Sequence, residues 1–141
     1  MLLALDAGNS NITIGAFENR SLAGRWRLRT VLDQTADEWG VLLRNLFSLS
    51  ALELERVDGV VISSVVPPLD SSLAEMSEKY FRQTALFVTP ATGTGLQIGY
   101  DIPAEVGADR IVNSVAAYTR YGGPCVIVDL GTAITFDAVS A

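Results

Sequence analysis

The chain has 141 residues, of which 49% are apolar, and its 16 acidic against 10 basic residues give a formal net charge of −6. This length corresponds to about one ordinary domain, and the acidic balance argues against nucleic acid and anionic membrane surfaces as partners. The sequence has no histidine and a single cysteine, Cys125, which excludes an internal disulfide and the usual structural zinc sites. No apolar run approaches the roughly 20 residues of a membrane helix, and no basic cluster precedes the first apolar residues, so we expect a cytoplasmic protein.

The first part of the chain alternates short apolar runs with a turn-rich segment at residues 6–11. Three strands are predicted here, at residues 2–5, 12–17 and 22–28. In the third strand, Arg25, Arg27 and Arg29 alternate with apolar residues. We interpret this arginine row as a solvated face that discourages edge pairing, with a phosphate-binding patch as the alternative.

A helix is predicted next, because Thr35 and Glu38 have the spacing of a capping box ahead of a helical apolar pattern. Residues 57–66 then predict a buried strand that is stopped by the prolines at 67 and 68. A further helix beginning at Ser72 and a strand at residues 85–88 complete this part. The order of elements is typical of an α/β fold with a mixed sheet and crossover helices, and we place the end of this first domain near residue 100.

The remainder of the chain predicts a helix and a second hairpin. Its elements are a helix after residues 107–110, a strand at residues 126–128 that ends in Asp129, and a strand at residues 134–139. Residues 92–95 are interpreted as a plain connection.

The two predicted hairpins begin with the same pattern, at residues 2–10 and 126–132: an apolar strand, Asp, any residue, Gly and a small polar residue. Glycine permits a positive φ and a close backbone approach, the following amides and hydroxyls can donate to phosphate oxygens, and the Asp can hold Mg²⁺. In one loop alone, ordinary Asp-x-Gly turn chemistry is the favoured interpretation. The occurrence of both loops in one chain favours a site in which the two loops bind a polyphosphate from opposite sides. The predicted phosphate-binding residues are Asp6, Gly8, Asn9, Ser10, Asn11, Gly131 and Thr132, and the predicted metal-binding residues are Asp6 and Asp129.

Four blocks, in the same order, resemble the type III pantothenate kinases, a family of the actin, sugar-kinase and heat-shock ATPase superfamily. The blocks are residues 6–10, 62–67, 100–110 and 129–135. The resemblance runs the length of the chain. It implies that residues 1–100 form the first of two duplicated ribonuclease H-like domains. Residues 101–141 would then be the substrate-binding segment and the start of the second domain.

The resemblance also implies an activity: transfer of the ATP γ-phosphoryl group to the primary hydroxyl of pantothenate, the first step of coenzyme A biosynthesis, with Mg²⁺ and a monovalent cation, K⁺ or NH₄⁺. It implies that Asp6 and Asp129 organise the metal and the phosphates, and that Asp109 is the general base. Arg110 would bind the carboxylate or amide end of pantothenate. Tyr100, Gly107 and Ala108 would complete that pocket, in an enzyme that is a homodimer without nucleic-acid or membrane partners.

Simpler interpretations of these residues stay open at this point. Asp109 has the position of a helix N-cap, Arg110 can be a surface ion-pair partner, and Tyr100 can be a half-buried aromatic residue. The alternatives to the kinase are a non-catalytic regulatory or accessory protein on the same scaffold, and a superfamily kinase with another acceptor.

The length favours the N-terminal half of a longer kinase. The final hairpin would expose apolar residues on both faces unless another segment or chain covers it. Whether the 141 residues are active by themselves is left open.

Overall fold

The chain, described over residues 1–141 by a computed structural model, divides into two units, Met1–Phe87 and Val88–Ala141. This division reflects packing alone, so the predicted boundary between duplicated domains near residue 100 stays a prediction.

The first unit is built on a five-stranded mixed sheet. Its strands are β1 (Leu2–Ala7), β2 (Asn11–Glu18), β3 (Ser21–Arg29), β4 (Gly59–Ser64) and β5 (Leu86–Phe87). Their order across the sheet is β3-β2-β1-β4-β5; β2 is antiparallel to β1 and β3, whereas β4 is parallel to β1 and β5. Parallel neighbours require a crossover, and the helices α1 (Ala36–Leu49) and α2 (Pro67–Met76) lie in these connections. The predicted mixed sheet with crossover helices is confirmed.

One face of this sheet and the two helices share a single core. Alternation along β2 buries Ile12 and Ile14, and α1 presents Trp39, Leu43 and Phe47 at intervals of one turn. The core residues of α2 are Leu69, Leu73 and Met76. The core therefore fixes which face of each strand is left for polar side chains.

The predicted start of α1 is confirmed in atomic detail. The Thr35 hydroxyl accepts a hydrogen bond from the Glu38 amide at 3.3 Å, and the Glu38 carboxylate accepts one from the Thr35 amide at 2.8 Å. These two bonds are the capping box that the sequence indicates.

The predicted bounds around the two prolines are wrong. The strand β4 ends at Ser64, and Pro67 and Pro68 begin α2 instead of merely stopping the strand. Proline suits this position because the first helical residues need no intrahelical N–H partner. Ser72 therefore lies inside the helix, where its hydroxyl donates to the Leu69 carbonyl at 3.1 Å.

The arginine row lies on β3, which is an edge strand. Arg25, Arg27 and Arg29 are exposed, and none of them forms an ion pair. This placement agrees with the interpretation of a solvated edge face.

The second unit contains the helix α3 (Ala108–Tyr121) and the antiparallel strands β6 (Cys125–Leu130) and β7 (Ile134–Val139). The predicted second hairpin is therefore confirmed. The helix α3 contacts both strands, so one face of the hairpin is covered.

The expectation of apolar exposure on both faces of this hairpin is wrong for one face. The face opposite α3 carries apolar side chains that are between 50% and 76% exposed. They are Val126, Val128, Leu130, Ile134 and Phe136. The segment that covers the other face is α3, and the sequence did not identify it because the packing of α3 on the hairpin is a tertiary contact.

None of the helices combines the length and the apolar character that crossing a bilayer requires.

Candidate functional site

The first predicted phosphate loop begins at Asp6, near the carboxyl end of β1. Its backbone neighbours are Thr13 on β2 and Ser63 on β4, so Asp6 lies in the interior of the sheet but on the polar face. The hydroxyl of the buried Ser63 donates to Asp6 Oδ1 at 3.1 Å. The carboxylate is exposed to solvent and is oriented by a neutral donor.

The turn that follows Asp6 is held by hydrogen bonds of the backbone and of Thr30. The Gly8 amide donates to the Asn11 carbonyl at 3.0 Å, and the Thr30 hydroxyl donates to the Gly8 carbonyl at 2.6 Å. The Thr30 amide donates to the Ser10 carbonyl at 3.1 Å. Thr30 therefore fixes the backbone of a loop whose own side chains, Asn9 and Ser10, are exposed.

The second predicted loop repeats this arrangement within the other unit. Asp129 lies on β6 opposite Thr135 of β7, just as Asp6 lies opposite Thr13. The Gly131 amide donates to the Ala133 carbonyl at 3.1 Å across the turn. The two hairpins thus share the same relation between carboxylate, glycine and cross-strand threonine.

The expected positive φ is not found at either loop glycine; among glycines it occurs at Gly95 and Gly122. Close backbone approach explains Gly8, because a Cβ there would lie 3.2 Å from the Asn11 carbonyl oxygen. A Cβ at Gly131 would meet its nearest neighbour at 3.6 Å, which is ordinary contact. The φ values of Gly8 and Gly131 are accessible to residues with a side chain, and only the first of the two turns is sterically tight.

The second carboxylate is held by the helix α3. Asn113 Nδ2 donates to Asp129 Oδ2 at 3.2 Å. Asn113 lies four residues after Asp109, and residues four apart are neighbours on one helix face. The helix therefore brings the predicted base and the second predicted phosphate loop into one region of the same unit.

Asp109 itself is the second residue of α3, and the N-cap is Gly107, which makes no side-chain capping bond. The N-cap interpretation of Asp109 is therefore wrong. Its Oδ1 accepts a hydrogen bond from the Arg110 amide at 2.8 Å, and its Oδ2 has no hydrogen-bond partner within the chain. A carboxylate at this position also faces the positive end of the helix dipole.

Arg110 is the centre of a polar cluster that sequence reasoning identified only in part. Its Nε donates to Asp137 Oδ1 at 2.8 Å, its Nη2 contacts the same oxygen at 2.5 Å, and Nη2 also donates to the Phe136 carbonyl at 3.2 Å. Nη2 further donates to the hydroxyl of Tyr100, whose ring centroid lies 5.0 Å from the guanidinium carbon. The hydrogen bond with Asp137 raises the pKa of Arg110, so the guanidinium stays charged. Arg110 is an ion-pair partner, as the simpler interpretation had it, but of a buried carboxylate.

A cavity of about 450 Å³ lies beside this cluster, entirely within the second unit. Tyr100, Arg110 and Asp137 line it together with residues 94–99 and 138–141. The segment 92–95 is therefore more than a plain connection, because Thr94 and Gly95 form part of the wall. The cavity is large enough for a small organic ligand.

The side chains offer no dedicated metal cage, since no group of three or more Asp, Glu, His or Cys residues could hold an ion. Mg²⁺ is usually bound through one or two carboxylates together with substrate phosphates and water. The metal-binding role of Asp6 and Asp129 stays a prediction.

Three residues of these sites were missed in the sequence: Thr30, Asn113 and Asp137. A signal existed for Asp137 alone, because a charged residue in an alternating strand at the position that faces the helix is unusual. Thr30 and Asn113 are ordinary polar residues whose partners lie 22 and 16 residues away in the chain.

Comparison with solved structures places this fold. YeaZ from Pseudomonas aeruginosa matches 99% of the chain and 59% of its own length, with a TM-score of 0.52 and 13% identity. A ROK hexokinase from Thermus thermophilus matches 99% of the chain and 45% of its own length, with a TM-score of 0.51 and 14% identity. The chain thus has the actin-like, ribonuclease H-like fold found in sugar kinases.

Sequence comparison then specifies the family. The profile of the type III pantothenate kinase family matches residues 2–141. A type III pantothenate kinase of Solibacter usitatus is 67% identical over 141 residues, which are 100% of this chain and 54% of the relative. One of Myxococcus xanthus is 53% identical over 140 residues, covering 99% of this chain and 55% of the relative. The chain belongs to the type III pantothenate kinase family, and it spans about half the length of these curated relatives.

Proposed function

We propose that the protein represented by this chain phosphorylates pantothenate with ATP to give 4′-phosphopantothenate. The observation that carries the proposal is the hydrogen bond from Asn113 to Asp129 at 3.2 Å. It joins the start of α3, which bears Asp109 and Arg110, to the second phosphate loop. An acceptor-binding segment and a phosphate-binding segment that share one helix suit a phosphoryl transfer.

The cavity of the second unit is the proposed acceptor site. Arg110 lines it and keeps its positive charge, which suits the carboxylate or amide end of pantothenate. Tyr100 contributes a hydroxyl and a ring beside the guanidinium. Gly107 and Ala108, at the start of α3, are proposed to complete this side of the site, between the lining residues Val106 and Arg110.

Asp109 is proposed as the general base. Its Oδ1 is oriented by the Arg110 amide, which leaves Oδ2 to accept the proton of the acceptor's primary hydroxyl. The hydroxyl oxygen forms a bond to the γ-phosphorus as the bond from that phosphorus to the β,γ-bridging oxygen breaks, and ADP leaves. Positioning supplies most of the catalysis in such a transfer, because little covalent chemistry is required of the protein.

The two strand-end carboxylates, Asp6 and Asp129, are proposed to act on the Mg²⁺ complex of ATP. Mg²⁺, when bound, neutralises charge that develops on the transferring phosphoryl group. Backbone amides and hydroxyls of the two loops would donate to phosphate oxygens. The predicted residues are Gly8, Asn9, Ser10, Asn11, Gly131 and Thr132. The requirement for K⁺ or NH₄⁺, the homodimer and the cytoplasmic location belong to the same proposal.

The test is ATP-dependent phosphorylation of pantothenate by the protein that carries this chain, comparing wild type with Asp109→Asn. General-base removal lowers kcat by a factor of about 10² or more. Glu105→Gln is the matched control, since the Glu105 side chain is exposed and forms no hydrogen bond or ion pair. Retained turnover in a folded Asp109→Asn protein contradicts the assigned role. Calorimetry with ATP and with pantothenate separates the alternatives: an accessory protein binds neither, and a kinase for another acceptor binds only ATP.

A further inference from the structure

Asp137 is a buried carboxylate that none of the roles above uses. It lies on β7 and is 9% exposed, between the outward-facing Phe136 and Ala138. A charge buried to this extent is retained at a cost in solvation unless it is paired and hydrogen-bonded. Its partner is Arg110, so the pair belongs to the wall of the cavity.

The contacts of Arg110 use its guanidinium nitrogens unequally. Asp137 occupies Nε and Nη2, and Nη2 also reaches Tyr100 and the Phe136 carbonyl. Nη1 has no hydrogen-bond partner within the chain. Because the guanidinium is planar and rigid, fixing Nε and Nη2 also fixes the direction of both N–H groups on Nη1.

The two side chains differ from an ordinary surface ion pair. They are 23% and 10% exposed, and the guanidinium carbon of Arg110 lies 5.0 Å from the centroid of the Tyr100 ring. Exposed pairs of long side chains contribute little and hold no single geometry. This pair is held on three sides, which suits a residue whose orientation matters to a ligand.

We propose that Asp137 is a positioning residue for acceptor binding, which holds the Arg110 guanidinium so that Nη1 remains directed to the acceptor's carboxylate or amide oxygen. This inference rests on the proposed function and adds a residue to it. Asp137 acts through Arg110 and does not itself contact the reacting atoms. Losing it weakens acceptor binding and leaves ATP binding and the chemical step largely intact.

The experiment is steady-state kinetics of Asp137→Asn in the protein that carries this chain. Replacing the carboxylate partner of Arg110 with a neutral amide oxygen weakens this contact and is expected to raise KM for pantothenate by about tenfold. kcat and KM for ATP change by less than about threefold, because binding of the acceptor alone is affected. Glu105→Gln again provides the control for loss of an acidic charge in the same unit. An unchanged KM for pantothenate, or an equal rise in both KM values, overturns the proposal.

Two further variants separate positioning from charge and from folding. Asp137→Glu keeps the charge but moves the carboxylate by one methylene, so a positioning role predicts a raised KM for pantothenate and a mere charge requirement predicts the wild-type value. If Asp137→Asn does not fold, the double variant Arg110→Gln with Asp137→Asn removes both charges together. Its KM for pantothenate should equal that of Arg110→Gln alone, and an additional increase contradicts action through Arg110.

A readout independent of activity distinguishes failure of this inference from failure of the proposed function. The Arg110 Nε–H proton should exchange slowly with solvent in the NMR spectrum of the wild type and rapidly in Asp137→Asn. If the wild type phosphorylates no pantothenate, the proposed function fails, and the exchange rate then decides only whether Asp137 holds the Arg110 guanidinium in place. Equal exchange in the two proteins refutes it.

Discussion

Asn113→Asp tests whether α3 holds the second predicted phosphate loop. The substitution keeps the size of the side chain and replaces the neutral donor to Asp129 with a second carboxylate. The observed separation of Asn113 Nδ2 and Asp129 Oδ2 is 3.2 Å. Two oxygens at this separation, one from each carboxylate, repel while both groups are ionised.

The size of the effect follows from that separation. Two unit charges at 3.2 Å interact by about 1 kcal/mol in water and by about 5 kcal/mol at an effective dielectric of about 20. Both residues are partly exposed, so we expect a loss near the lower end of this range, about 1–2 kcal/mol at pH 7. Asn113→Leu removes only the hydrogen bond and should cost about 1 kcal/mol at every pH.

The destabilisation by Asn113→Asp should depend on pH in one direction. A neighbouring carboxylate disfavours the ionised form, so the folded pair takes up one proton at a higher pH than two carboxylates of the unfolded chain. The destabilisation is therefore full near pH 7 and decreases as the pH falls toward the ordinary Asp value of about 3.9. A protonated carboxyl can then replace the lost donor.

The assay is hydrogen exchange of peptides from α3 and β6 at pH 7 and at pH 5, with rates corrected for intrinsic exchange. Asn45→Asp, on the exposed side of α1, adds the same charge away from any partner and should leave these peptides unchanged. Equal protection in Asn113→Asp and wild type at pH 7 would refute the reasoning, as would a loss that does not decrease at pH 5.

Three further predictions follow from the geometry. Gly8→Ala should destabilise the chain by about 1 kcal/mol in urea unfolding, because the new Cβ lies 3.2 Å from a carbonyl oxygen. Gly131→Ala should be neutral or stabilising by about 0.5 kcal/mol, because its new Cβ lies 3.6 Å from its nearest neighbour. Hydrogen bonds from Lys79 and from a neighbouring tyrosine lower the pKa of Asp37. Their contribution to folding stability is therefore fully present above the unfolded-state pKa of Asp37, and it is lost as the pH falls through the folded-state pKa. Asp37→Asn should therefore make acid unfolding less steep below about pH 4. Phe136→Lys should reduce binding of an apolar dye by the 141-residue chain, because Phe136 is 64% exposed among other apolar side chains.

Equal stability of the two glycine variants would show that the first turn relaxes freely. If Asp37→Asn does not change the acid unfolding curve, the exposed cluster of Asp37 and Lys79 has no influence on stability. Undiminished dye binding in Phe136→Lys would locate the apolar surface elsewhere on the chain.

The sequence alone determined the elements whose cause is local. The capping box at Thr35 is formed by residues three apart. The strands β2 and β3 follow from alternation of apolar and polar residues, and β1 and β4 from short apolar runs. The matching Asp-x-Gly turns were predicted for the same reason, since each turn closes within a few residues. Local interactions need no knowledge of how distant segments pack.

Element bounds near proline were predicted less well. Proline can end a strand and can also begin a helix, so the prolines at 67 and 68 are compatible with either structure. Packing of α2 on the sheet decides between the two.

Tertiary structure alone decided which polar groups meet. The partners of Arg110 include Asp137, 27 residues later, and Asp129 is held by Asn113 from the preceding helix. The sequence around a carboxylate in an alternating strand does not indicate which cation it will contact, because the packing of α3 on the hairpin determines that partner. Sequence thus specified the acidic turns and the helix that begins near Asp109, while packing of that helix specified how their charges are held.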